Sequence, residues 1–143
     1  MRGSIIALAV IAAIGTFATA ASAQTFETST SPTGPVFSWR YFSTALENDP
    51  SRVVRMQQQL QLPGRPGDPF HTHNGDQWEV VLEGEITFTV RGQPPRVLKA
   101  GDFVYIPRGT IHRNENESDA PARTIGLYVR DKDKPQTVPV PTD

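Results

Sequence analysis

From Val36 onward the chain is a succession of short apolar runs separated by Gly, Pro, Asn and Asp, and its 143 residues include 11 Gly and 13 Pro. That texture predicts an all-β sandwich or barrel rather than alternating strand–helix units. Strands are expected at residues 36–42, 52–62, 77–82, 85–90, 96–98, 103–106, 112–116 and 124–129, with a short helical turn at 44–48. Glu83-Gly84 reads as a tight hairpin in which Gly84 supplies the unusual backbone angle. Residues 92–95, 100–102 and 107–109 read as further turns.

All three histidines fall in two blocks, His71-Thr72-His73 and, further on, His112 at the end of a run that begins at Gly101. On a strand, residues two apart point to the same face, so the first block aims two imidazoles at one place. A third imidazole from a neighbouring strand completes a set of neutral nitrogen donors suited to a divalent transition metal. On the strand that follows, Gln77, Glu79 and Val81 share one face and Trp78, Val80 and Leu82 the other. If the histidine face is inward, Gln77 and Glu79 are buried polar groups that need a partner or a metal. The opposite face is apolar and calls for a cover, which a second subunit or the N-terminal strand would supply.

The 14 Lys and Arg against 15 Asp and Glu give a formal charge of −1 with no basic cluster, which argues against nucleic acid as a partner. The absence of cysteine excludes disulfides, thiolate ligands and a cysteine nucleophile. Residues 1–23 have the layout of a secretory signal peptide: a basic Met1-Arg2-Gly3, an apolar run from Ile5 to Phe17, and Ala21-Ser22-Ala23 as the cleavage signal. The mature chain then begins at Gln24 in the periplasm or outside the cell, and loss of Arg2 leaves 13 basic against 15 acidic residues, or −2. An uncleaved anchor is the alternative, since residues 5–23 are nearly long enough to span a bilayer; the small residues at the distal end favour cleavage. Residues 24–35 read as a flexible lead-in, 36–129 as a single barrel, and 130–143 as a tail along the surface.

The two histidine blocks resemble the two motifs of the cupin superfamily. The second is matched in full: Gly101, five residues, Pro107, one residue, Gly109, two residues, His112, three residues, Asn116. The first is matched in part: His71-Thr-His73, three residues, Gln77, six residues, Gly84. Gln77 stands where the family usually carries a ligand Glu, and Arg65 stands at the position of the opening glycine, with Gly64 and Gly67 nearby. Sixteen residues separate Gly84 from Gly101, a compact spacer like that of small single-domain bacterial cupins. The resemblance, running from about Gly64 to Asn116, implies a double-stranded β-helix, or jelly-roll barrel. It also implies a metal held by His71, His73 and His112, with the metal one of iron, manganese, nickel, copper or zinc. Gln77 would be a weak fourth ligand or a partner that holds a bound water. Small cupins commonly pair, so a homodimer is expected.

Glu79 offers the carboxylate that Gln77 lacks, either as a ligand through a shifted register or as a catalytic base beside the metal. Its bland alternative is an inward carboxylate paired with Arg55 or Arg113. Asn116 and the motif glycines read as structural. Phe70, Phe88, Phe103, Tyr105 and Ile106 are candidates for an apolar pocket wall. A two-histidine, one-carboxylate oxygenase site needs an HxD block, and none occurs; a carbonic-anhydrase-type site needs a longer chain. The functional expectation is an exported metal-dependent dioxygenase acting on a small enolic, dicarbonyl or aromatic compound. The alternative is a non-enzymatic cupin that binds a metal or small ligand.

Overall fold

The computed structural model describes residues 25–31, 34–64 and 67–141, and side chains from residue 37 onward. The proposed leader, residues 1–23, lies outside the described residues. Among the described residues there is no helix. The described residues form eleven strands: β1 (Thr25–Ser31), β2 (Gly34–Leu46), β3 (Asp49–Gln61), β4 (His71–His73), β5 (Gly75–Glu83), β6 (Glu85–Val90), β7 (Arg96–Lys99), β8 (Phe103–Ile106), β9 (His112–Glu115), β10 (Ala122–Asp131) and β11 (Thr137–Pro139). They form a six-stranded sheet in the order β1-β2-β3-β10-β5-β8 and a five-stranded sheet in the order β11-β4-β9-β6-β7. All pairings are antiparallel.

Three expectations are corrected. Residues 44–48 form no helical turn: β2 runs through Leu46, turns at residues 47–48, and returns as β3 with Leu46 opposite Asp49. The cross-strand ladder supplies the backbone partners that a helical turn would have supplied locally. Glu83-Gly84 is not a hairpin, because β5 and β6 belong to different sheets. Gly84 is instead a corner, at φ 70°, where the chain passes from one sheet to the other. A Cβ there would lie 2.6 Å from the Pro121 carbonyl oxygen, so both the backbone angle and the close approach require glycine. At the N-terminus, composition suggested a flexible lead-in over 24–35, yet Thr25–Ser31 pairs along its length with β2.

Alternation decides what faces inward. Along β5 the buried residues are Gly75, Gln77, Glu79 and Val81; along β10 they are Ala122, Thr124, Gly126 and Tyr128. One part of the interior is apolar, built on Val81, Ile86, Phe88, Leu98, Val104 and Ile106. The remainder is polar and includes Gln57, Gln77, Glu79, Thr124 and the three histidines. Burying so many polar groups is costly unless each finds a partner, so the polar part is where function should be sought.

A candidate metal centre between the sheets

Strand β4 consists of His71, Thr72 and His73, and period-two alternation turns both imidazoles inward. His71 stands directly opposite His112 on β9. The three ring centroids are 4.5, 4.9 and 5.0 Å apart. One nitrogen from each ring lies within 4.8 Å of the other two. The second histidine block therefore meets the first through a cross-strand pair, as the spacing suggested.

Each ring is oriented by a backbone carbonyl. His71 Nδ1 lies 2.9 Å from Pro69 O, His73 Nδ1 3.0 Å from Gln136 O, and His112 Nδ1 3.0 Å from Thr110 O. A carbonyl only accepts, so each Nδ1 carries the proton and donates, which leaves each Nε2 with a lone pair. Burial, then the charges of His71 and His112, pushes His73 down to about 3. Burial lowers His112 to about 4, opposed by the hydrogen bond to Thr110 and aided by His71. Both rings are thus neutral at pH 7, the form that binds a metal.

Gln77 and Glu79 are each 2 % exposed and lie beside the histidines on the next strand. Gln77 Nε2 donates to Glu79 Oε2 at 3.0 Å and to the Tyr128 hydroxyl at 3.1 Å. Its carbonyl oxygen is buried without a hydrogen-bond partner. The Gln77 side chain faces His73 and opposes the lowering of that pKa, as an acceptor does. Three lone pairs and one orphaned buried oxygen fit a divalent transition metal. Glu79 is not part of the histidine cluster. Its Oε2 also accepts from Asn114 Nδ2 at 2.9 Å. Burial raises the Glu79 pKa, with Thr124 and Asn114 opposing. Of the arginines expected beside it, Arg113 is engaged with Glu115 at 2.9 Å.

Asn116 holds its own loop, donating to the Gln61 and Ala120 carbonyls at 3.0 and 2.8 Å, in keeping with the structural reading. The expected apolar wall is only partly in place. Phe88 and Ile106 are buried, and Phe88 packs 5.8 Å from His112. Phe103 and Tyr105 point outward because they occupy the exposed phase of β8, and Phe70 lies under Arg91 and Arg113. Three contributors escaped the sequence reading: Asn114, the Gln136 carbonyl, and Tyr128, whose ring meets His73 edge-on at 5.4 Å. The alternation of β10 puts Tyr128 inward, but only the strand register puts it opposite Gln77.

Comparison with known proteins gives a consistent family. A family described as a cupin domain matches residues 59–128. The chain is 37 % identical over 65 residues to the uncharacterized protein YdbB of Bacillus subtilis (strain 168), covering 46 % of this chain and 54 % of that protein. It is 36 % identical over 74 residues to the dimethylsulfoniopropionate lyase DddQ of Ruegeria pomeroyi, covering 52 % of this chain and 35 % of the lyase. The match therefore spans about half or less of these curated relatives. The crystal structure of DddQ superposes with a TM-score of 0.56 at 26 % identity, over 69 % of this chain and 50 % of the lyase. A cupin-like protein from Thermotoga maritima superposes with a TM-score of 0.61 at 25 % identity, over 77 % of this chain and 79 % of that one.

Proposed function

Since the chain belongs to the cupin superfamily, we propose that it is an exported metal-dependent oxygenase of small enolic or dicarbonyl compounds. His71, His73 and His112 would hold one divalent transition metal, with the Gln77 carbonyl oxygen as a weak fourth donor. The observation that carries this reading is that every Nδ1 is committed to a backbone carbonyl, which leaves Nε2 as the free nitrogen of each ring in a cluster whose candidate ligand atoms lie within 4.8 Å of one another. Iron, manganese, nickel or copper bound there would supply Lewis acidity and redox chemistry to a chelated substrate.

This chain's own residues supply the rest. Three neutral imidazoles and an amide leave the charge of a bound cation uncompensated, which favours an anionic oxygen chelator such as an enolate. Phe88 and Ile106 supply apolar wall. Glu79 is assigned the proton-handling role: two amide N–H donors occupy Oε2, and its buried carboxyl, with its raised pKa, is suited to hold a proton on Oε1. Export rests on residues 1–23, and a homodimer on the apolar outer face of β5.

A second reading, lyase chemistry on a small carboxylate, draws on the 36 % identity to dimethylsulfoniopropionate lyase. Oxygen uptake separates the two. The metal-free chain is loaded in turn with each metal and offered β-diketones, enols and dimethylsulfoniopropionate, in air and without oxygen. Turnover that requires and consumes oxygen is the expected result. Turnover without oxygen favours the lyase, and a chain that holds metal but turns over nothing is a binding protein.

A further inference from the structure

An amide at the position of Gln77 has two chemically different ends, and only the carbonyl end can serve a cation. The interior settles which end faces the histidines. Both N–H groups of Gln77 are committed, one to Glu79 Oε2 at 3.0 Å and one to the Tyr128 hydroxyl at 3.1 Å. The remaining atom, Oε1, is the end left over, buried without a hydrogen-bond partner. Glu79 Oε2 selects the N–H end of the amide, and the Tyr128 hydroxyl engages its second N–H, so that any rotation of the amide out of this plane breaks both hydrogen bonds.

Tyr128 supplies this second acceptor by a specific device. It stands opposite Gln77 in the β10–β5 register, two residues from Gly126, which stands opposite Glu79. The phenol lies back along its own strand over Gly126. A Cβ on that glycine would fall 2.8 Å from Tyr128 Cε2 and 3.0 Å from its hydroxyl. The missing side chain is the seat of the ring. The geometry points to Tyr128, seated on Gly126, as a positioning residue that fixes Gln77 with its carbonyl oxygen toward the three histidines. This role rests on the three-histidine metal site proposed above and deepens it: the fourth donor is an oriented neutral oxygen, and Tyr128 acts only through it.

The test is a Co(II) titration of the metal-free full chain, following affinity and the visible absorption of the bound ion. It compares the wild type with Tyr128→Phe, Gln77→Ala and the double variant. Tyr128→Phe should bind Co(II) about tenfold more weakly, the lower end of what loss of an outer partner costs a metal site, and should shift the visible spectrum while circular dichroism is unchanged. The double variant should be no weaker than Gln77→Ala alone, since a residue acting through Gln77 has nothing left to act on. Gly126→Ala, which displaces the phenol, should give the same spectral shift and tests the contact independently if Tyr128→Phe does not fold. Wild-type affinity and spectrum in Tyr128→Phe, or losses that add in the double variant, would overturn the role. His112→Ala is the control. If it keeps Co(II), the metal site itself is wrong; if it loses Co(II) while Tyr128→Phe does not, only the positioning role falls.

Discussion

A histidine that lends one nitrogen to a backbone carbonyl has one nitrogen left to give, and three such residues pointing inward are hard to explain as packing. Replacing any one of His71, His73 and His112 with alanine should abolish metal retention, because two neutral imidazoles and an amide are too few strong donors. Gln77→Ala should weaken binding less, and Gln77→Glu should tighten it by adding a negative ligand; competition with a chelator reads both. The same burial sets a pH dependence. His73 and His112 fall from an ordinary 6.5 to about 3 and about 4, so in the metal-free chain the unfolded state takes up protons first as pH falls. Their contribution to stability is complete above about pH 6.5 and is lost as pH drops from there toward 4. Glu79 works the other way, since a raised carboxyl holds its proton in the fold and costs stability as pH rises past 4.5. Urea midpoints of the metal-free chain should therefore climb from pH 4 to 6.5, and His112→Asn should flatten the climb.

At the scale of strands, the C-terminal segment is part of the site. Strand β11 pairs with β4, Val140 N donates to Phe70 O at 3.0 Å, and Gln136 O orients His73. Deleting residues 136–143 should leave a β-rich circular dichroism spectrum and weaken metal binding by about 10- to 100-fold. Gly84→Ala should cost about 1–3 kcal/mol in urea unfolding, through its left-handed backbone and the clash with Pro121 O. These elements also mark what local sequence conveys. The HxH spacing and the glycine–proline turns announce a barrel and two histidines on one face, because alternation is a local property; His112 joins them only through the pairing of β9 with β4. From sequence Gly84 reads as a hairpin glycine, because a tight return and a corner between sheets need the same positive φ. Tyr128 lies 51 residues from Gln77, and Gln136 lies 63 from His73. Only strand register, which no local pattern states, brings them together.

The molecule as a whole presents an apolar outer face on its six-stranded sheet. Phe103 is 65 % and Tyr105 47 % exposed, and Trp78 stacks on Tyr105 at 5.2 Å. Surface of this kind on β5 and its edge neighbour β8 suits a second copy of the chain. Trp78→Lys should convert a dimer to a monomer in sedimentation at micromolar concentration without loss of metal, because Trp78 points away from the histidines. A native monomer would remove the dimer from the account and leave the site intact. The central claim, one metal on three imidazoles, is tested most directly by elemental analysis of protein purified from its own compartment, wild type beside His112→Ala. The account predicts about one equivalent of a divalent transition metal per wild-type chain and none in the variant. Equal metal in both would contradict it.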